Sequence, residues 1–313
     1  MIHIVINENA KSGGRKGQAA QLTRLLSERS IRYKVHRTTK AGDATQFVRD
    51  ICRSGEEADI WVVGGDGTIN EAVNGLILSS KVTVSVLPGG SGNDYVKGIG
   101  LSNNLVTCAK QLLAAKATRG YDVGEAETFE ETGTVRFAGS CGIGYDAKVC
   151  HEVDNSRIKK ILNKLHLGKI AYFLVALRQV FANPRFHATV IVDGLSRSYS
   201  DVIFLCFMNN RYEGGGLRMA PDANPCDGKL TVVLAHGIRP LRVLTMLPKL
   251  MTGTHVKHRN VEVITCREIE VITDRKQFIH TDGDVKGETR HLRVRCLEEQ
   301  MRMPACGTKY EGR

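Results

Sequence analysis

Residues Ile60–Leu78, IWVVGGDGTINEAVNGLIL, contain the pattern that best indicates the fold class of this chain. Its apolar start, Ile60–Val63, predicts a buried strand, and apolar residues at helical spacing predict a helix over Ile69–Leu78. Between them lies a turn with three glycines around one carboxylate, Asp66. A strand, a glycine turn and a helix in this order direct backbone N–H groups and a helix N-terminus at a phosphate. The stretch therefore predicts a phosphate-binding loop in an α/β domain, with an ordinary tight turn as the alternative.

Local signals predict the geometry of this loop. Its glycines would permit positive φ and the close approach of a ligand. Thr68 would cap the helix, and Glu71, three residues later, would complete a capping box. The loop differs from the usual nucleotide motifs, because the chain lacks G-x-x-x-x-G-K-S/T and Gly65-Asp66-Gly67 lacks the third glycine of the dinucleotide fingerprint.

Residues 1–125 alternate predicted strands with predicted helices, which is typical of a mostly parallel sheet covered by helices. The strands are Ile2–Asn7, Tyr33–Arg37, Ile60–Val63 and Thr83–Leu87, and the helices are Gln18–Arg29, Ala44–Ser54, Ile69–Leu78 and Asn104–Ala117. Ligands of such sheets bind beyond the carboxyl ends of the strands. Three polar glycine loops have that position, Asn7–Gly17, Gly64–Thr68 and Pro88–Asp94, and together they predict a polyphosphate cleft.

After about Glu125 the pattern changes to short β-rich segments, which favour an antiparallel sandwich. The predicted strands are Thr134–Ala138, His187–Asp193, Ser196–Tyr199, Val202–Asn209, Lys229–Ala235, Val261–Thr265, Glu268–Thr273 and Phe278–His280. A length of 313 residues also suggests about two domains. We therefore expect an α/β domain at 1–125 and a β-sandwich domain at 126–297.

Composition indicates a cytoplasmic protein. No apolar run approaches the roughly 18 residues that span a bilayer, and the first residues, MIHIVI, predict a strand and not a signal peptide. The nine cysteines form no C-x-x-C pair, so we expect reduced core thiols.

The net charge of +11 is concentrated in two stretches. Residues 155–192 carry seven Lys/Arg and no acid, and residues 228–261 carry six Lys/Arg and no acid. Each contains a predicted helix, Ser156–Phe181 and Arg239–Met251, that is partly apolar and could rest on anionic headgroups. The alternative is a helix packed on the sandwich with its cations in water. Nucleic acid is the weaker partner, because aromatic residues make up only 6% and no binding motif is present.

Several carboxylates lie where a turn would present them: Asp66, Asp122, Asp227, and Asp282 with Asp284. Phosphoryl transfer needs N–H groups for the phosphates, a divalent cation, a carboxylate near that cation and a carboxylate that accepts the proton of the attacking hydroxyl. Asp282 as base and Asp66 near the metal would meet this need. Asp282-Gly-Asp284 alone is equally consistent with a hairpin turn.

In combination, these motifs resemble the soluble diacylglycerol-kinase-type lipid kinases, which are relatives of sphingosine and ceramide kinases and, more distantly, of NAD kinase. The most specific match is Gly64–Glu71 with Asn74-Gly75. Further matches run through the chain in the family's order: Asn7 with Ser12-Gly13, Pro88–Asp94, Gly142–Ala147, Gly214–Gly216, Ala220–Ala223, Asp227-Gly228 and Asp282–Asp284.

The resemblance implies a nucleotide domain and a sandwich domain with ATP in the cleft between them, and a chain end, 298–313, that returns to the first domain. It implies ATP contacts at Asn7, Asn9, Lys11, Ser12, Gly13, Gly14, Thr38, Gly64, Gly65, Asp66, Gly67, Thr68, Ile69, Asn70, Gly90, Ser91 and Asn93.

The same resemblance implies roles for the carboxylates. Asp282 and Asp284 match the catalytic pair, one acting as general base, and Asp66 and Asp122 match positions tied to the active-site Mg²⁺. A structural Mg²⁺ would be held by Asp227 with the backbone carbonyls of Asn224 and Lys229. Asp284 departs from the family's usual Glu and reaches about one C–C bond less far, Ser91 replaces a common Thr, and Pro225 and Cys226 are atypical near the second metal.

We therefore expect a kinase that transfers the γ-phosphoryl group of ATP, with Mg²⁺, to a lipid hydroxyl, most simply that of diacylglycerol. It would be cytoplasmic and peripherally attached to an anionic membrane, with no nucleic-acid partner, and an exposed sheet edge could pair two copies into a homodimer. The alternatives are a kinase of the same fold for a sphingoid lipid, phosphatidylglycerol or NAD, and a nucleotide-binding lipid sensor without catalysis.

Overall fold

The computed structural model describes residues 1–7, 17–77, 81–130, 133–155, 178 and 185–305. Within these residues, four strands form the first sheet: β1 (Ile2–Ile6), β2 (Tyr33–Arg37), β3 (Ala58–Gly64) and β4 (Val82–Pro88). Their order in the sheet is β2-β1-β3-β4. All three pairings are parallel, which confirms the predicted sheet. The carboxyl ends of the four strands therefore meet at one edge.

Helices follow these strands and bury their apolar sides against the sheet. They are α1 (Gln18–Ser27), α2 (Asp43–Arg53), α3 (Asp66–Gly75), the short α4 (Asp94–Gly98) and α5 (Leu105–Ala114). Leu22, Val48 and Ile69 lie with the sheet residue Val86 in one buried core. The sequence predicts the four longer helices to within a few residues at either end and misses α4, which is only one turn long.

The second sheet has nine strands, and every pairing in it is antiparallel. They are β5 (Thr118–Thr128), β6 (Gly133–Phe137), β7 (Ser140–Gly144), β8 (Phe186–Val192), β9 (Leu195–Met208), β10 (Leu230–His236), β11 (Val261–Cys266), β12 (Glu268–Thr281) and β13 (Asp284–Pro304). Their order is β11-β10-β9-β7-β12-β13-β5-β6, and β8 pairs with both β12 and β9. The predicted change from parallel to antiparallel structure is confirmed.

Two strands are longer than the sequence predicts. The two predicted strands Ser196–Tyr199 and Val202–Asn209 fall, except for Asn209, in the single strand β9, in which Asp201 has a φ of 54°. Glu268–Thr273 and Phe278–His280 likewise belong to one strand, β12, whose pairing with β13 is irregular between Ile272 and Gln277. In both cases an irregular pairing interrupts the alternation of apolar residues, and so the pattern predicts two strands in place of one.

Strand β13 connects the cores of the two sheets. Leu292 and Val294, near its middle, lie in the core of the antiparallel sheet. Met301 and Met303, near its end, lie in the core of the parallel sheet. A shift in its pairing with β5 between Leu297 and Met301 separates the two parts. The limits 1–125, 126–297 and 298–313 remain predictions.

Two further helices border the antiparallel sheet, α6 (Tyr145–Asn155) and α7 (Pro240–Thr252), and a 3-10 turn follows α7 at Thr254–Lys257. Helix α7 confirms the helix predicted over Arg239–Met251. The helix predicted over Ser156–Phe181 lies outside the described residues except for residue 178. Within the described parts of the chain, no helix is long and apolar enough to cross a membrane.

Candidate active site

Two glycine loops lie backbone against backbone where β3 and β4 end. The N–H of Gly89 donates to the carbonyl of Gly64 at 2.8 Å. A Cβ on Gly89 would lie 2.5 Å from the Gly64 Cα, and one on Gly65 would lie 3.2 Å from the Gly90 Cα. Gly64, Gly65 and Gly67 do not have positive φ, so that part of the prediction is wrong. The loops need glycine because of this close packing.

The predicted capping box is also wrong. Helix α3 begins at Asp66, its N-cap is Gly65, and no side chain caps it. Thr68 lies within the helix, where its hydroxyl accepts from Asn7 Nδ2 at 3.4 Å. Glu71 accepts from the N–H of Ala44 at 3.2 Å, at the start of α2. No side-chain hydrogen bond caps the N-terminus of α3, which lies at the carboxyl edge of the sheet, and an uncapped helix N-terminus favours an anion.

Two helix starts bring carboxylates to this edge. Asp66 Oδ1 accepts from the N–H of Tyr95 at 3.1 Å, and Asp94 Oδ2 accepts from the N–H of Gly215 at 2.6 Å. A Cβ on Gly92 would lie 2.9 Å from Asp66 Oδ2 and 3.6 Å from Asp94 Oδ2, so both carboxylates border the same glycine. Burial, and then the charge of Asp94, raise the pKa of Asp66 to about 6.

Asp94 is a site residue that the sequence analysis did not single out. Its carboxylate is largely buried, and burial raises its pKa, although Lys97 Nζ lies 3.6 Å from Oδ1. The signal was present, because Asp94 ends the polar glycine loop Pro88–Asp94. What the sequence could not show is that a short helix starts there and directs the carboxylate towards Asp66.

The carboxylate of Asp282 is enclosed by four hydrogen-bond donors. Its Oδ2 accepts from Asn70 Nδ2 and from the N–H of Ala138, both at 2.9 Å. Its Oδ1 accepts from the N–H of Gly139 at 2.7 Å and from the N–H of Ser140 at 2.9 Å. Burial raises the pKa of Asp282, and these hydrogen bonds oppose that rise.

Asp284 lies on the other side of the same turn and is exposed. A Cβ on Gly67 would lie 3.6 Å from Asp284 Oδ2, so this carboxylate faces the first turn of α3. Asp282 has a φ of 49° and Gly283 a φ of 87°, which form the tight turn between β12 and β13. The turn therefore directs one carboxylate into the protein and the other towards the glycine loop.

Helix α3 is held directly to the antiparallel sheet. Asn74 Nδ2 donates to the carbonyl of Arg136, and the N–H of Arg136 donates to Asn74 Oδ1, both at 2.9 Å. The Arg136 guanidinium also donates to the carbonyl of Leu76 at 3.1 Å. With Asn70, which contacts Asp282, these bonds fix the distance between the glycine loop and the Asp282–Asp284 turn.

Asp122 lies in a different set of contacts. It is fully buried on β5, where Oδ2 accepts from the N–H of Gly228 at 2.8 Å and Oδ1 from the N–H of Glu299 at 2.9 Å. Burial raises the pKa of Asp122, and the charges of Asp227 and Glu298 add to this rise. These contacts tie β5 to β13 and to the loop before β10, while the role implied for Asp122 at the active-site Mg²⁺ stays a prediction.

The residues of the predicted structural Mg²⁺ site lie in that same loop. Asp227 is exposed, and its Oδ1 accepts from the N–H of Lys229 at 3.1 Å. The side-chain oxygen of Asn224 accepts from the N–H of Cys226 at 3.2 Å. One carboxylate oxygen and two backbone carbonyls would remain for a metal, and this site stays a prediction.

The other predicted ATP contacts occupy varied environments. Thr38 and Ile69 are buried, and Ser91 is exposed. Asn93 is fully buried, with Oδ1 accepting from the N–H of Gly90 at 2.8 Å and Nδ2 donating to Asn103 at 2.6 Å, so it shapes its loop. Asn9, Lys11, Ser12, Gly13 and Gly14 lie outside the described residues.

A glycine-loop α/β domain that faces carboxylates of an antiparallel domain is typical of a two-domain kinase. Residues 1–126 match the family model of the diacylglycerol kinase catalytic domain, and residues 139–303 match that of the YegS C-terminal NAD kinase beta sandwich-like domain. The chain belongs to this diacylglycerol kinase-type family of lipid kinases.

Individual relatives cover most of the chain at low identity. A diacylglycerol kinase of Bacillus subtilis (strain 168) is 26% identical over 277 residues, which are 87% of this chain and 86% of the relative. A diacylglycerol kinase of Mycobacterium tuberculosis (strain CDC 1551 / Oshkosh) is 24% identical over 245 residues, 78% and 75% of the two chains. A crystal structure of a diacylglycerol kinase from Bacillus anthracis (strain Sterne) has a TM-score of 0.70 at 18% identity and covers 97% of this chain and 96% of its own, which shows a shared fold.

Proposed function

We propose that this protein transfers the γ-phosphoryl group of ATP to a lipid hydroxyl, most simply that of diacylglycerol, and so forms phosphatidic acid. One observation is the main support for this proposal: carboxylates from both domains lie beside the same glycine loops. Asp66 and Asp94 come from helix starts of the parallel domain, and Asp284 reaches Gly67 from the antiparallel domain. Phosphoryl transfer needs both a cation-binding and a proton-accepting carboxylate beside the phosphates.

The phosphates of ATP would lie at the N-terminus of α3. That N-terminus carries no side-chain cap, and Gly65, which precedes it, packs against Gly90 of the neighbouring glycine loop. Backbone N–H groups and the helix dipole together favour an anion there.

The carboxylates suit a Mg²⁺ ion. Asp66 and Asp94 border the same glycine, and burial, followed by the charge of Asp94, raises the pKa of Asp66. Carboxylate oxygens are the ligands that Mg²⁺ prefers. When bound, the ion would neutralise charge on the transferring phosphates.

In this proposal Asp284, and not Asp282, accepts the proton of the lipid hydroxyl. A carboxylate offers about four acceptor positions, and those of Asp282 already hold four donors. Asp284 is exposed and faces the glycine loop. As the hydroxyl oxygen forms its bond to the γ-phosphorus, the bond from phosphorus to the leaving ADP oxygen breaks and the proton passes to Asp284. Asp282 then acts as the anchor of the turn.

Helix α7 is the surface that we propose rests on the membrane. Leu241 and Met251 are 70% and 59% exposed, and they share a helical stripe with Leu244 and Pro248. Arg239, Arg242 and Lys249 are exposed along the same helix, and residues 228–261 contain no acid. Apolar side chains flanked by cations match an anionic lipid surface, where substrate and product are found.

Labelled ATP tests the proposed function directly. The purified chain is incubated with γ-labelled ATP and Mg²⁺ in mixed micelles that contain diacylglycerol, sphingosine, phosphatidylglycerol or NAD as the sole acceptor. We expect label in the diacylglycerol product. Label in NAD alone would contradict a lipid kinase, and ATP binding without transfer to any lipid would favour the sensor.

A further inference from the structure

A second cluster of ligand-type side chains lies behind the Asp282–Asp284 turn. His280, on β12, places Nε2 3.0 Å from Asp146 Oδ2 and 3.2 Å from Glu213 Oε1. The imidazole is fully buried, and the side chains of the two acids are 15% exposed. These three residues, the His280 cluster, are the only group of three or more His, Cys, Asp or Glu within the described residues whose ligand atoms all lie within 4.8 Å of one another.

Three elements of the antiparallel domain build the His280 cluster. Asp146 belongs to the first turn of α6, and Glu213 lies in the loop after β9. Gly142 pairs with His280 across β7 and β12, and a Cβ at this position would overlap both Asp146 Oδ2 and His280 Nε2. The absence of a side chain at Gly142 therefore makes the space in which the carboxylate and the imidazole meet. The buried thiol of Cys206 donates to Asp146 Oδ2 at 2.9 Å and orients that carboxylate.

Two carboxylate oxygens of this cluster, Asp146 Oδ1 and Glu213 Oε2, are enclosed and have no hydrogen-bond partner in the described part of the chain. The ion pairs described for these two acids are both with the same imidazole. Enclosed carboxylate oxygens without partners are costly, and a cation is a group that would satisfy them.

We propose that Asp146, Glu213 and His280 bind one divalent transition-metal ion of the zinc class. Nitrogen and oxygen ligands of Zn²⁺ lie about 2.0–2.2 Å from the ion, which places two tetrahedral ligands roughly 3.3–3.6 Å apart. The observed separations of 3.0 and 3.2 Å need only a small expansion to admit the ion. An imidazole nitrogen suits Zn²⁺, Co²⁺ or Mn²⁺ better than Mg²⁺ or Ca²⁺, and so this site differs in chemistry from the carboxylates at the glycine loop.

Metal binding would also act on the catalytic turn. His280 Nδ1 accepts from the N–H of Gly283 at 3.3 Å, and Gly283 lies between the two carboxylates of the turn. A metal held by Nε2 would restrain the imidazole and, through this contact, the turn. We therefore expect bound metal to change the rate of transfer, a consequence that rests on the proposed kinase function, whereas metal binding itself does not.

The test measures metal binding without nucleotide or lipid. The full-length chain is stripped with a chelator and dialysed against Zn²⁺ in excess Mg²⁺, and bound zinc is counted. We expect about one Zn²⁺ per chain, and Co²⁺ in its place should give the strong visible absorption of a low-symmetry site. His280→Gln and Glu213→Gln, which keep side-chain size, should each weaken binding at least tenfold. Failure of the kinase reaction would leave this result intact.

Two matched variants locate the metal. His255→Gln changes another buried histidine, whose Nε2 lies 3.0 Å from the carbonyl of Met219, and should retain the ion. Asp66→Asn should retain it as well. A chain that binds no zinc would overturn the proposal, as would binding that survives both His280→Gln and Glu213→Gln or is lost only in Asp66→Asn. Unchanged circular dichroism of each variant shows that loss of metal is not loss of fold.

Discussion

In the proposed reaction the two acids of the Asp282–Asp284 turn have separate roles, which substitution can distinguish. Asp284→Asn should lower kcat about 100-fold to 10,000-fold, the range for a general base, with no change in melting temperature, because its carboxylate is exposed. Asp282→Asn should lower both kcat and the melting temperature, because its amide nitrogen would face backbone N–H groups that now donate to the Asp282 carboxylate. Each enclosed donor left without an acceptor costs about 1–3 kcal/mol. Steady-state kinetics and thermal unfolding of both variants provide the measurement. A fully active Asp284→Asn, with Asp282→Asn inactive at unchanged stability, would return the base to Asp282.

Asp66 should make stability depend on pH in the protein without metal. Burial raises its pKa to about 6 in the folded chain, above the value of about 4 for an unfolded aspartate. Its contribution to stability is therefore fully present below about pH 4 and is lost as the pH rises through about 6. Asp66→Asn cannot ionise and keeps an oxygen for the N–H of Tyr95.

We thus expect this variant to melt above the wild type at pH 8 in chelator, and the two melting temperatures to converge near pH 4. Thermal unfolding across this range measures the difference. A wild type that is the more stable protein at pH 8 would contradict an uncompensated charge at Asp66. Mg²⁺ with ATP should stabilise only the wild type, so that the wild type then has the higher melting temperature.

The sequence singled out Asp66, Asp282 and Asp284 as candidate site carboxylates, but it did not show which role each could have. Spacing placed a carboxylate on each side of Gly283 and could not show which one points inward. That depends on the N–H groups of residues 138–140, which approach Asp282 from a different strand pair. Asp94 was missed for a related reason, because its neighbour Asp66 is distant in sequence.

Among the elements, α7 is the one whose exposed side we expect to bind lipid. Leu241→Glu and Met251→Glu place charge on its apolar stripe, and we expect each to reduce binding to phosphatidylglycerol vesicles at least tenfold. The matched control is Leu195→Glu, because Leu195 is also 70% exposed but lies at the start of β9. Sedimentation of the protein with vesicles measures binding, and raised salt should weaken it further. Equal losses for Leu195→Glu and Leu241→Glu would remove α7 as the contact.

The elements that the sequence predicts best are those with one clean pattern. β3 contains the unbroken apolar run Ile60–Val63, and α1 and α2 carry apolar residues at helical spacing, so each was predicted closely. β13 was missed because its outer face consists of charged side chains that pair across strands, such as Arg293 with Glu127 at 3.5 Å. Opposite charges that pair between strands stabilise a sheet, but they obscure the alternation of apolar and polar residues from which a strand is predicted.

In the molecule as a whole, the candidate site lies between two cores that β13 connects and that polar contacts of α3 hold together. The sequence could predict both architectures and the glycine loops, because these follow from local patterns and from the resemblance. It could not predict that α3 lies against the strand β6, since that contact is made by Asn74 and backbone groups of Arg136. The spacing of apolar residues in a sequence does not reveal a side-chain amide that hydrogen-bonds to the backbone of a strand.

Asn74→Ala should therefore affect catalysis from outside the catalytic residues. The change removes two hydrogen bonds to Arg136, so α3 and its Asp66 should shift relative to Asp284, and we expect kcat to fall about tenfold or more. The matched control is Asn104→Ala, which removes the cap of α5, where Asn104 Oδ1 accepts from the N–H of Thr107 at 3.0 Å. Loss of a cap costs about 1 kcal/mol.

Both variants should thus lower the melting temperature, whereas only Asn74→Ala should lower kcat at a temperature where each remains folded. Kinetics with saturating ATP and lipid, measured beside thermal unfolding, separates the two effects. Equal kcat values for Asn74→Ala and Asn104→Ala would mean that the alignment of the glycine loop with the Asp282–Asp284 turn does not depend on this contact. Asn70, which links α3 to Asp282 itself, would then carry that alignment.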